Sequence, residues 1–194
     1  MIFLTAVISF IGTNLDDLLV LMFLYAQTGG KNEKRAILMG RYLGFGVILG
    51  ISLLGAFGLS LVSDRFLGLL GILPIVLGIR EWMEYRRASE PEAPTAQEPK
   101  KEKTGSRLFA AAALAVSNGA DNIGVYLPLF TGYTAVERAL FTAVFLIMTA
   151  VWCFLGDRLA GVPVIREKLR RYQPILVPLV FVLLGVYILG KSYL

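Results

Sequence analysis

Histidine is absent from the 194-residue chain, and cysteine occurs once, as Cys153. The first absence excludes His-based catalysis and histidine metal sites. The second leaves no intrachain disulfide and no thiol relay. Charge is scarce too: Asp, Glu, Lys and Arg make up 17% of the residues, against about 25% in an ordinary soluble domain. No phosphate-binding loop, phosphorylated-Asp motif or other nucleotide signature occurs, which argues against ATP-driven work. The N-terminus has no basic n-region and no clear small-residue cleavage site. Its apolar run therefore reads as a first membrane helix rather than a signal peptide.

What the chain does have is apolar length. Hydrophobic residues make up 56%, and they gather into runs that match the 17–25 or so helical residues needed to cross a bilayer. Six spans are expected, at 2–26, 36–62, 66–82, 107–130, 135–155 and 173–189. Of the 19 Lys and Arg residues, only Arg65, Arg138 and Lys191 fall on the side that holds the loops after spans two and four. The other 16 lie on the side of the loops after spans one, three and five. The positive-inside rule makes that second side cytoplasmic and puts both termini outside the cytoplasm. Basic residues placed this way orient helices, so the net charge of +5 does not indicate nucleic acid.

The segment 86–106 is rich in Pro, Glu and Lys and poor in apolar residues, the composition of a disordered cytoplasmic linker. It divides the chain into 1–85 and 107–194, each with three spans. The halves resemble each other. "TNLDDL" in span one and "SNGADN" in span four share a hydroxyl–Asn–x–x–Asp pattern. Thr13, Asn14 and Asp17 thus match Ser117, Asn118 and Asp121 at a constant offset of 104. "KRAIL" (34–38) resembles "ERALF" (137–141), and "VLGI" (76–79) resembles "LLGV" (183–186), in the same order. An odd number of spans precedes the linker, so the halves enter the membrane from opposite faces. The expected fold is an all-α polytopic membrane protein whose six transmembrane helices form two inverted-topology three-helix repeats. Transporters built this way place the substrate near the midplane.

The matched motifs carry the chemistry. Residues three apart share a helix face, so Asn14 and Asp17 point together, as do Asn118 and Asp121. Asp16 is turned about 100° from Asp17, either flanking the site or facing another helix, and Asn122 stands in the same relation to Asp121. A carboxylate at mid-bilayer costs roughly 2.5–3.5 kcal/mol on insertion scales. The spans offer no obvious basic partner, since Arg41 lies one turn inside span two and is expected to snorkel to the cytoplasmic surface. The acids therefore imply bound cations or protons. A divalent cation between Asp17 and Asp121, completed by amide and backbone oxygens, would neutralise both. The bland alternative is protonated acids hydrogen-bonded between helices. Gly119 and Gly124 loosen span four and let it unwind. The lesser features read as packing. Glycines of "GRYLGFGVILG" (40–50) suit close helix contact, with a homodimer contact as the alternative. Cys153 reads as a buried residue, Met22 as lipid-facing or core, and Tyr25, Trp82, Tyr133, Tyr172 and Tyr193 as interface anchors.

"TNLDDLLVL" and "SNGADNIGVYLPLF" resemble the motifs of the cadmium-resistance transporter family of the lysine-exporter superfamily, and the six-span layout extends the resemblance over the whole chain. The resemblance implies a plasma-membrane protein that exports Cd2+, with Zn2+ a second candidate, and no separate cofactor. It points to Asn14, Asp16, Asp17, Asn118, Asp121 and Asn122 as site residues, with the hydroxyls of Thr13 and Ser117 beside them. An all-oxygen site is hard, whereas Cd2+ is soft; weak ligation would favour release. Proton exchange is the expected coupling. Two other functions fit the same residues: an exporter of amino acids or other organic cations, and a metal-dependent membrane enzyme or non-transporting subunit.

Overall fold

In lipid a backbone must satisfy its own N–H and C=O groups, so long apolar runs become helices. The computed structural model describes residues 2–59, 69–87 and 104–193, apart from the side chains of Thr104, Ala120, Arg166, Arg170 and 191–193. Among the described residues there is no strand. The helices are α1 (Ile2–Thr13), α2 (Leu15–Ala26), α3 (Lys31–Leu59), α4 (Ile72–Arg87), α5 (Thr104–Asn118), α6 (Ala120–Thr131), α7 (Ala135–Leu159) and α8 (Pro163–Tyr193).

Among the described residues, three helices are long and apolar enough to cross a membrane: α3, α7 and the 171–190 part of α8. Two more spans arise if the bent pairs α1–α2 and α5–α6 each cross as one. The bends are 59° and 65°, and both have local causes. At the first, Asn14 Nδ2 donates to the Phe10 carbonyl at 2.9 Å and Thr13 Oγ1 to the Ser9 carbonyl at 2.9 Å. Side chains that bond the preceding turn in this way bend helices. At the second, Gly119 is the poor helix former. α4, with 16 residues, is shorter than a span. Part of the expected third span and the end of the second lie at 60–68, outside the described residues. Most of the expected linker, 88–103, lies outside them also; helix α4 runs on to Arg87 and α5 already begins at Thr104, so both edges of that linker are helical.

The outer surface confirms the class. Phe3, Leu4, Leu54, Phe57, Phe109, Val136 and Ile147 are all exposed, far more apolar surface than a water-soluble chain presents. Inside, rings of α1, α3, α6 and α7 interlock. Phe10 meets Phe45, Phe145 and Trp152 edge-on, with centroids 5.3–5.7 Å apart. Tyr126 packs on Phe145 with centroids 4.8 Å apart and rings tilted by 50°. Met22 belongs to this core. Tyr25 and Tyr133, expected as interface anchors, are instead buried, because both rings pack into the hydrophobic core between helices. Tyr133 Oη shares a 2.9 Å hydrogen bond with Tyr187. Trp82 and Tyr172 are exposed as anchors should be, and the Tyr193 side chain lies outside the described ones.

Small residues decide which helices touch. α3 packs chiefly on α5, with Gly40 against Ala111 and Gly44 against the Ala112 carbonyl and Ala115. α4 packs chiefly on α8, where Gly71 and Gly185 face each other and Gly78 meets the Pro178 carbonyl. α1 and α2 lie on α7. The expected small-residue contact is thus an intrachain one at Gly40 and Gly44, while Gly46 and Gly50 have open space. A Cβ at Gly44 would sit 2.5 Å from the Ala112 carbonyl oxygen and 2.6 Å from the Ala115 Cβ. Gly44→Leu is therefore expected to destabilise the protein by about 1–3 kcal/mol through overpacking, read as a lower thermal midpoint in detergent. An unchanged midpoint would show that α3 and α5 part without cost.

Candidate functional site

Asn14, at the first bend, is the most heavily bonded side chain of the interior. Its Nδ2 donates to the Phe10 carbonyl (2.9 Å), to Thr13 Oγ1 (2.8 Å) and to Tyr126 Oη (2.7 Å). Its Oδ1 accepts from Arg41 Nη2 at 2.8 Å. Its carbonyl accepts from Leu18 N and from Trp152 Nε1 at 2.7 Å. Thr13 Oγ1 and Tyr126 Oη share a further bond of 2.6 Å. One residue thus ties together α1, α3, α6 and α7 at the level of the break, the first three through its side chain and α7 through its carbonyl. The cause is local: a bent helix frees backbone and side-chain groups that lipid cannot satisfy, so neighbouring helices must.

Asp17 is 2% exposed and forms a salt bridge through Oδ2 with Arg41 Nη2. The Asn118 side chain hydrogen-bonds to it as well. Arg41 is 3% exposed, and its guanidinium lies over the Phe45 ring at 5.5 Å. This overturns the expectation that the acids lack a base and that Arg41 reaches the surface. Gly40 and Gly44 draw α3 so close to α5 that the intervening Arg41 faces the interior, where Asp17 and Asn14 compensate its charge.

Asp16 points elsewhere. With Thr13, Glu81, Asp121, Gln173, Pro174, Val177 and Pro178 it lines a partly open cavity of about 140 Å3. Asp121, half-buried, accepts from the Asn122 N–H at Oδ1 (3.0 Å). The two bent pairs therefore meet in this cavity through Asp16 and Asp121. Glu81 lies one to two turns from Arg86 and Arg87 at the end of α4, and Gln173 two residues from Arg171 on α8. The cavity thus leads from the helix breaks toward the ends that carry the basic blocks.

The remaining expected residues separate. Thr13 and Asn14 belong to the hub. Asn118 reaches Asp17. Ser117 is exposed. Asn122 is 1% exposed, and neither its Oδ1 nor its Nδ2 has a hydrogen-bond partner among the described residues. No group of three or more His, Cys, Asp or Glu side chains among the described residues is gathered closely enough to hold a metal. Cys153 is buried, as expected. Sequence reasoning missed Arg41, Glu81, Gln173, Tyr126 and Trp152. Arg41 was findable, since it alone interrupts the apolar glycine-rich run of α3 and is flanked by Gly40 and Gly44. Glu81 and Gln173 carry no sequence signal, because each sits near a span end among ordinary polar residues.

No curated protein and no solved structure matches the chain. A family model does, the cadmium resistance transporter, over residues 10–193. With nearly its whole length matched and apolar helices suited to a membrane, the chain belongs to the cadmium resistance transporter family, a family of membrane transport proteins.

Proposed function

We propose that the protein is a secondary transporter that exports Cd2+, and Zn2+ by the same route, across the plasma membrane in exchange for protons. It does so with six spans arranged as two inverted three-helix repeats. The observation that carries this reading is the cavity in which Asp16 of one bent pair meets Asp121 of the other. Several features support the symmetry. Both bends fall at the matched motifs, Asn14 and Gly119. The broken span of each half packs on the middle span of the opposite half, α1–α2 on α7 and α5–α6 on α3. The last spans, α4 and α8, pair with each other.

With the basic blocks in the cytoplasm, the cavity opens on the cytoplasmic side, as an exporter loading its cargo requires. Glu81 stands at the entry and attracts cations. Asp16 and Asp121 receive the ion at the helix breaks. Carboxylates bind a metal when ionised and protons when it leaves, which couples the two flows. On the opposite side of the breaks, Phe130, Tyr133, Phe141 and Phe145 are packed ring to ring and close the path outward.

In liposomes acidified inside, the reconstituted protein is expected to accumulate Cd2+ from a neutral medium, with Zn2+ competing and amino acids not. Accumulation that ignores the pH gradient removes proton exchange, and competition by amino acids favours an organic-cation exporter.

A further inference from the structure

Three carboxylates lie near the helix breaks, yet the structure does not treat them alike. Asp17 is enclosed and bridged by Arg41, while Asp16 and Asp121 face the cavity. We propose that Arg41 is a positioning residue. It is a fixed internal cation that withdraws Asp17 from ion coordination and leaves Asp16 and Asp121 as the carboxylates at the helix breaks that meet the ion. This rests on the reading of the cavity as the ion site.

Four observations support it. First, Arg41 is held on several sides: Asn14 Oδ1 and Asp17 Oδ2 accept its hydrogen bonds, and the Phe45 ring lies beneath it. Second, α3 lies tight on α5 on either side of Arg41, where Gly40 and Gly44 leave no room for a Cβ. Third, the second half has no equivalent base. The positions 103 and 104 residues further on are Val144 and Phe145, both buried and apolar. Asp121, the match of Asp17, therefore has no buried base at the place equivalent to Arg41, and it lines the cavity. Fourth, the charges are close enough to matter to one another: Asp16 lies within Coulombic reach of Asp17, Asp121 and Arg41. With Asp17 bridged by Arg41, Asp16 and Asp121 are the carboxylates at the helix breaks that face the cavity, with Glu81 lining it beside them.

The test changes the charge of the site and reads ion valence. Binding of Cd2+ and of La3+ is measured on the full-length protein in detergent at mildly alkaline pH. The variants are Arg41→Gln, the double variant Arg41→Gln/Asp17→Asn, Asp16→Asn and Asp121→Asn. Arg41→Gln leaves an unpaired Asp17 and adds one negative charge, so the La3+ to Cd2+ affinity ratio is expected to rise about tenfold. The double variant restores the count, so the ratio returns to that of the native protein and Cd2+ transport persists. A role in packing alone would leave the ratio unmoved. Should Arg41→Gln fail to fold, the double variant decides: Cd2+ binding at the native ratio supports the inference, and folded protein that binds no Cd2+ makes Asp17 a ligand and overturns it. Loss of Cd2+ binding in Asp16→Asn and Asp121→Asn is expected throughout. Native binding in both would overturn the cavity as the ion site, and the inference with it, whereas loss there with a dead double variant overturns the inference alone.

Discussion

Asp17→Ala is expected to leave almost no folded protein in the membrane. The substitution removes the carboxylate that bridges Arg41 and leaves a guanidinium that is 3% exposed with only Asn14 Oδ1 as acceptor. Its Nε already lacks a hydrogen-bond partner. Removing one partner of a buried pair costs roughly 3–5 kcal/mol, because the remaining charge keeps its desolvation penalty without compensation. A folded protein has only about 5–15 kcal/mol in hand. The loss also spreads: Asn14 Oδ1 binds the same guanidinium nitrogen, and Asn14 holds Tyr126 and the chain at the bend. The measurement is the yield of monodisperse protein in mild detergent and its thermal midpoint. A variant with native yield and midpoint would mean that Arg41 escapes to water, and that the pair contributes little.

Asp121→Asn is expected to do the reverse, giving folded protein that no longer moves Cd2+. Asp121 is half-buried at the cavity, and its one described hydrogen bond accepts the Asn122 N–H at Oδ1. An asparagine oxygen can accept the same bond, so the start of α6 keeps its geometry. The charge is lost, and with it a ligand of the proposed site. Outer-shell partners of metals are worth about 10–100-fold in affinity, so loss of a direct carboxylate should weaken Cd2+ binding by at least roughly 100-fold. Flux into proteoliposomes under a fixed pH gradient reads the effect, with the thermal midpoint as control. A native flux would remove Asp121 from the path. Asp17 and Asp121 are matched in sequence, yet their substitution should fail in different ways, one in folding and the other in transport.

Much of this architecture was legible beforehand. The apolar runs and the grouping of basic residues placed the chain in a membrane, and the apolar surface of the helices agrees. The motifs at Asn14 and Asn118 were expected near mid-span, and both helices break there. That asparagines and a glycine mark these points follows from local chemistry, since Asn bonds its own backbone and Gly resists helix. The family resemblance carried by the same motifs was also correct.

Side-chain direction was not legible in the same way. Spacing shows that Asp16 and Asp17 differ by about 100°, but which of them meets solvent depends on which helix packs on each face. Close α3–α5 packing through Gly40 and Gly44 sends Arg41 inward to Asp17, although one turn of depth would have let it reach the surface. The pairing of α4 with α8 brings Glu81 and Gln173, 92 positions apart, to one cavity.

The bend at Asn14 was not foreseen. By itself, then, the sequence determined the membrane class, the weak point of span four and the residue types available for a cation. Those depend on local composition and on the period of one helix. Only the tertiary structure decided which carboxylate is neutralised and which faces the cavity. That choice depends on the rotation and contact of helices far apart in the chain, set by where small residues let backbones approach.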